Sequence, residues 1–187
     1  MLNQAKIAQM AAYLLQRQGG TMYLLKLTKL LYLCEREAVA RFGTLISGDM
    51  PVSMPQGPVL SQTLDLMNGA SPPVPGGWDS WISDREGYSV SLNPEVEGFN
   101  RSHLDALSDA EINVLDRVWQ QFGQMDRWEI RDWTHNNCAE WQDPNGSSLP
   151  IQMMQFFQAV GFSNEQSRLL NLEANAEDCL DKTFASL

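Results

Sequence analysis

Two side chains in the second half of the chain have types and spacing that could do chemistry. His135 and Cys138 stand three residues apart as H-x-x-C, a spacing that can supply two zinc ligands or a nucleophilic thiolate with its base. No second ligand pair accompanies them, although Cys34 could complete a site if the fold brought it close. His103, the other histidine, lies in a polar linker. The sequence also lacks phosphate-binding, H-E-x-x-H and G-x-S-x-G motifs. We therefore predict no enzyme activity, no metal and no other cofactor.

The tryptophans are candidates either for the core or for a binding surface. Trp119 and Trp128 lie in segments with helical apolar spacing, which predicts that both are buried in the core. Trp133 and Trp141 flank the H-x-x-C segment. Because tryptophan is enriched at binding hot spots, these two are also candidate anchors for a partner.

Charge is unevenly distributed along the chain. The net charge is −10, but residues 1–42 carry +4 and the remainder therefore −14. Lys26, Lys29 and Arg36 share one stripe of the second predicted helix. This stripe is either a solvated face or a docking strip for an acidic partner. The net negative charge argues against nucleic-acid binding, because phosphate contacts need clustered Lys and Arg.

Most of the elements that must position these residues are predicted to be helical. Apolar spacing and stop signals predict helices from about Ile7 to Gly19, from Leu24 to about Phe42, from Pro58 to Gly69, from Ile151 to Val160 and from Asn164 to about Lys182. Residues 47–58 are predicted to form a loop with a short extended stretch. Trp78–Ser83 and Tyr88–Leu92 are predicted to be the arms of a β-hairpin around Arg85-Glu86-Gly87.

Explicit start signals mark three of the later helices. Ser108 with Glu111 and Asp126 with Glu129 have the spacing of capping boxes, and Ser163 is placed to cap the last helix. That helix is predicted to carry Leu169, Leu172, Ala176 and Cys179 on one side, and an acidic outer face of Glu173, Glu177, Asp178 and Asp181.

These patterns predict an α+β fold that is predominantly α-helical, a compact helical core with one small β-hairpin. We divide the chain into a domain over residues 1–150 and a C-terminal helical extension over 151–187. Three cysteines without a C-x-x-C pair, together with an N-terminus unlike a signal peptide, favour a cytoplasmic location. No apolar run approaches the ~18 residues of a membrane span.

Several segments resemble those of one family, the Panacea domain, which includes the antitoxin SocA and phage-associated proteins. The residues that carry the resemblance are Lys26-Leu27-Thr28-Lys29-Leu30-Leu31-Tyr32-Leu33, Gly48-Asp49, Met54-Pro55-Gln56-Gly57-Pro58-Val59, Leu107-Ser108-Asp109-Ala110-Glu111 and Trp133-Thr134-His135. The resemblance covers roughly residues 5–145. It implies an antitoxin of a bacterial or phage toxin–antitoxin system that binds a toxin encoded beside it and holds the toxin inactive.

The resemblance also leaves an alternative open, a proteolytic adaptor that delivers the toxin to a bacterial protease complex. An enzyme using His135 and Cys138 is the third hypothesis. The expected partners are therefore a cognate toxin and, for the adaptor, a protease, with no membrane. The partner-binding residues that we predict are Lys26, Lys29, Arg36, Asp49, Met54, Pro55, Gln56, Gly57, Pro58, Trp133, His135 and Trp141.

Overall fold

The computed structural model describes residues 1–72, 74–96 and 98–185, and in the last helix it describes the side chains up to residue 176 and at residue 180. The helices are α1 (Gln4–Gln18), α2 (Leu24–Phe42), α3 (Ser61–Met67), α4 (Trp78–Trp81), α5 (Asp109–Phe122), α6 (Arg127–Asn137), α7 (Met153–Ala159) and α8 (Asn164–Ala185). The strands are β1 (Thr21–Tyr23), β2 (Pro51–Met54), β3 (Gly57–Leu60), β4 (Ser89–Ser91) and β5 (Leu149–Pro150). The prediction of a mainly helical α+β fold is confirmed.

Helix α2 is the centre of the core. Its buried side chains occur on nearly all sides, as expected for a helix that is apolar all round. Helices α1, α5 and α6 and strand β3 pack around it. Gly19 ends α1 in the left-handed conformation, with φ +97°, so the predicted stop is confirmed.

The predicted capping boxes are present. The Ser108 and Asp126 side chains accept backbone N–H bonds at the starts of α5 and α6, and Glu111 and Glu129 bond back to the N-cap backbone. The Ser163 hydroxyl accepts the N–H of Gln166 at the start of α8. These local devices depend on residues three apart, which is why sequence alone locates them.

The predicted hairpin between Trp78 and Leu92 is wrong in its first arm. Trp78–Trp81 is a helical turn, because Trp78 and Ile82, four residues apart, both face the core. Strand β4 pairs with β1, and the predicted pairing is reduced to isolated antiparallel bridges, Ile82 with Leu92 and Glu86 with Ser89, and a hydrogen bond from the Ser83 N–H to the Ser91 carbonyl.

A hairpin forms where the sequence predicted a loop. Strands β2 and β3 pair antiparallel, and β5 adds to the other side of β2. Pro58 lies in β3, opposite Ser53, so the prediction that it begins a helix is wrong. Its missing N–H is tolerated because β3 is the edge strand of the sheet. Helix α3 begins at Ser61 and is capped from a distance, since the Asp49 carboxylate accepts the N–H groups of Gln62 and Thr63.

The C-terminal segment shares the core. Phe156 and Phe157 of α7 have no exposed surface. On α8, the Leu170 side chain packs against the core, whereas Leu169 and Leu172 are exposed. Glu173 is also exposed. The side chains of Glu177, Asp178, Cys179 and Asp181, on which the predicted faces of this helix also rest, lie outside the described residues. The domain boundary at residue 150 stays a prediction.

No helix in the described part of the chain is both long enough and apolar enough to cross a membrane.

Candidate functional site

The basic stripe of α2 faces inward at its two lysines. Lys29 has no exposed surface, and its ammonium donates to the Pro58 carbonyl at 2.9 Å. Burial lowers the pKa of Lys29 from 10.5 to about 7. Lys26 donates to the Gln18 side chain and to the Gly123 carbonyl, both at 2.7 Å, and lies over the Trp119 ring. The predicted solvent-facing strip therefore does not exist at these positions, because α2 is enclosed on that side by the β2–β3 hairpin and the end of α5.

Arg36, the third member of the stripe, belongs to a buried ion pair. Its Nε donates to Glu140 Oε1 at 2.8 Å, and the Tyr32 hydroxyl donates to the same oxygen at 2.6 Å. The Glu140 side chain is fully buried, and that of Arg36 is 21% exposed. Burial is the main cause that raises the pKa of Tyr32 well above 10, and the negative charge of Glu140 is the second cause. These contacts bind the segment after α6 to α2. The sequence carried no periodic signal for Glu140, because it lies in an irregular segment.

The tip of the β2–β3 hairpin is held against α2 and α6. Gly57 has φ +94°, and a Cβ atom there would come within 2.9 Å of His135 Cδ2, Lys29 Nζ and Thr134 Oγ1. On the other side of the turn, Trp141 Nε1 donates to the Met54 carbonyl at 3.0 Å. The turn that resembles the family motif therefore packs closely against α2 and α6, and only glycine fits at position 57 without displacing a neighbouring side chain.

Among the other residues predicted to bind a partner, exposure differs widely. Pro55 and Gln56 are exposed at the hairpin tip, whereas Asp49 is fully buried as the distant cap of α3. Trp133 packs edge-on against Phe122, with ring centroids 4.6 Å apart.

The geometry at His135 and Cys138 does not favour thiolate chemistry. The His135 ring stacks on Trp141 at 4.3 Å, and burial, helped by the Lys29 and Arg131 charges, lowers its pKa below 6.5. Cys138 is buried, and burial raises its pKa to about 12, so the thiol stays protonated at neutral pH. Within the described residues, no group of three His, Cys, Asp or Glu side chains is arranged to hold a metal ion.

An open groove of about 610 Å³ lies beside the hairpin tip. We call it the aromatic–arginine groove. Its most exposed apolar side chains are Tyr88 (79%), Tyr23 (51%) and Trp128 (46%). The lining residues are Tyr23, Leu24, Leu25, Thr28, Lys29, Met54, Gln56, Val59, Leu64, Tyr88, Arg127, Trp128 and Arg131. This set contains three basic residues and no acidic residue.

Stacking orders the two arginines of the groove. The Arg127 guanidinium lies 3.9 Å from the Tyr23 ring centroid and 5.0 Å from that of Trp128. The Arg131 guanidinium lies over the Trp128 ring, 4.8 Å from its centroid. Arg131 also pairs with Asp132 and reaches Gln56 Oε1 at 3.5 Å. No described residue accepts a hydrogen bond from the Arg127 guanidinium.

Burial of Trp128 was predicted wrongly. It occupies the second position of α6, and the side of α6 that faces the core is formed by Ile130 and Thr134, both with no exposed surface. The spacing of Arg127 and Arg131 could have indicated a shared helix face, because residues four apart are neighbours. Tyr23 and Tyr88 are brought together by the β1–β4 pairing, which the sequence did not predict.

The hairpin, the buried ion pair and most of the groove lie within one recognisable family match. A family model described as "Antitoxin SocA-like, Panacea domain" matches residues 27–142. The chain belongs to this family. Membership supports a role related to toxin–antitoxin systems and confirms the resemblance seen in the sequence. No curated protein and no solved structure shows significant similarity to the chain.

Proposed function

We propose that this Panacea-domain protein is an antitoxin that neutralises a cognate toxin by binding it directly, without making or breaking covalent bonds. Family membership supports the antitoxin role. The observation that carries direct binding is the aromatic–arginine groove, where two tyrosines and a tryptophan remain exposed beside two arginines. Tyr, Trp and Arg are the residue types that dominate binding energy at protein interfaces.

The required affinity is within reach of such a surface. Holding a toxin inactive at cellular concentrations needs a Kd near 1 nM, which corresponds to about −12 kcal/mol. Interfaces of standard size cover about 800 Å² on each partner, and some of them reach this affinity. The groove would supply the central anchors, and the exposed hairpin tip at Pro55 and Gln56 would extend the contact.

A different observation favours the adaptor alternative. Among the described side chains of helix α8, three large apolar ones are exposed beyond the family match, namely Leu169, Leu172 and Leu180. In an adaptor these leucines would engage the protease while the groove holds the toxin. In a direct inhibitor they would have no part in neutralisation.

Co-expression tests the proposal. The product of the neighbouring open reading frame is expressed in a bacterial host alone and together with this protein. We expect growth arrest by that product alone, restored growth with both, and co-purification of the two chains. A product that is harmless alone, or that stays toxic when this protein is present, would show that the proposal is wrong.

A further inference from the structure

We propose that the aromatic–arginine groove receives a toxin segment in which an aspartate or glutamate lies beside a large apolar side chain. This inference rests on the proposed function and specifies the partner chemistry at the groove. It assigns the carboxylate to Arg127 and the apolar side chain to the exposed rings.

The charge of the groove is opposite to that of the whole chain. The protein carries a net −10, yet the described residues that line the groove include three basic and no acidic ones. Lys29 contributes little at the surface, because its ammonium is buried against the Pro58 carbonyl. Arg131 is paired with Asp132, so the positive charge at the exposed part of the groove comes mainly from Arg127. Negatively charged partner groups are attracted to such a patch, whereas nucleic-acid phosphates would also meet the acidic remainder of the protein.

Arg127 is positioned to bind a carboxylate. Tyr23 and Trp128 hold its guanidinium by stacking, which leaves the N–H donors at the edge of the plane. The nearest acidic side chain along the chain, Asp126, already accepts the backbone N–H groups of Trp128 and Glu129 as the N-cap of α6. With no acceptor among the described residues, the guanidinium can form a two-bond pair with a partner carboxylate. Because stacking orders it beforehand, little side-chain entropy is lost on binding.

The apolar half of the site surrounds this donor. Tyr88 exposes 79% of its surface and lies in the same groove as Leu24 and Val59. A leucine, methionine or aromatic side chain of the partner would cover these groups and exclude water from the neighbouring ion pair. Exclusion of water strengthens the pair, since charge–charge attraction grows as the local dielectric constant falls.

Calorimetric titration with the purified toxin tests the inference on four forms of the full chain: wild type, Arg127→Glu, Tyr88→Ala and the control Arg117→Glu. Arg117 is exposed, belongs to α5 and does not line the groove. Folding of Arg127→Glu is expected to be normal, because position 127 is the first residue of α6 and a negative charge is favourable there. Circular dichroism of each variant checks this expectation.

We expect Tyr88→Ala to weaken binding about 30-fold, as for an interface hot spot. Arg127→Glu should weaken binding by at least about 10-fold, because it places like charges opposite each other. Arg117→Glu should stay within about 2-fold of the wild type, as for a charge outside the interface. One toxin variant with a single Asp or Glu changed to Lys should restore binding to Arg127→Glu.

Two results would be decisive against the inference. If wild type binds tightly and Arg127→Glu binds equally well, the groove is not the docking site and the antitoxin proposal still stands. If Arg127→Glu weakens binding but no toxin variant with a single Asp or Glu changed to Lys restores it, Arg127 does not contact a carboxylate of the toxin. Failure of the wild type to bind the toxin would instead contradict the proposed function itself.

Discussion

Replacing Gly57 with alanine probes how tightly the hairpin tip is fitted to α2 and α6. The added Cβ would lie 2.9 Å from atoms of Lys29, Thr134 and His135. None of these side chains can move without cost. The Lys29 ammonium is bonded to the Pro58 carbonyl, the Thr134 hydroxyl donates to the Arg131 carbonyl, and the His135 ring is stacked.

Two effects add in this variant. A residue with a side chain loses about 1–2 kcal/mol in a left-handed conformation such as that of Gly57, whose φ is +94°. Overpacking a fitted contact costs a further ~1–3 kcal/mol. We therefore expect the free energy of unfolding to fall by about 2–5 kcal/mol, the sum of these two costs.

Gly146→Ala is the matched control. Gly146 has φ +90°, and a Cβ there meets no atom within 4 Å. It therefore shares the conformational cost without the steric cost, and we expect a loss of only about 1–2 kcal/mol. Urea unfolding followed by tryptophan fluorescence measures both variants. Equal losses for the two variants would refute the fitted contact at the hairpin tip.

Three further perturbations have defined outcomes. Arg36→Met leaves the buried Glu140 carboxylate without its cation, so we expect the free energy of unfolding, measured with urea, to fall by about 3 kcal/mol. A fall of less than about 1 kcal/mol would contradict the buried pair. The pKa of Lys29 is 10.5 in the unfolded chain and about 7 in the folded protein. Between about pH 7 and 9 the unfolded chain therefore binds the proton more strongly, and the free energy of unfolding should rise with pH by up to ~1.4 kcal/mol per pH unit. Unfolding curves of Lys29→Met should lack this rise, and the same slope in both proteins would exclude Lys29 as its source. The third perturbation replaces three exposed side chains of α8 with glutamine, namely Leu169, Leu172 and Leu180. In cells that also express the toxin, we expect toxin levels and growth to be unchanged. Toxin accumulation and renewed toxicity would favour the adaptor.

Local signals explain the part of the fold that the sequence predicts. The capping boxes at Ser108 and Asp126 depend on contacts between residues three apart, and the central place of α2 follows from its own apolar side chains. Such features need no knowledge of the rest of the chain.

The rest depends on contacts between distant segments. Asp49 caps a helix that begins at Ser61, and the inward turn of Lys29 is set by a carbonyl 29 residues away. The groove exists because the β1–β4 pairing brings Tyr23 and Tyr88 near the start of α6. Periodicity along one segment carries no information about such pairings. The sequence therefore indicated the family and its motif at residues 54–59, but neither the hairpin that this motif forms nor the arginines and aromatic rings beside it.

Isothermal titration of the purified protein with the product of its neighbouring gene measures the proposed neutralising interaction directly. Direct inhibition predicts a Kd near 1 nM, about −12 kcal/mol, without any third component. Absence of binding, or a Kd weaker than about 10 µM, would leave the toxin free at cellular concentrations and would contradict neutralisation by direct binding.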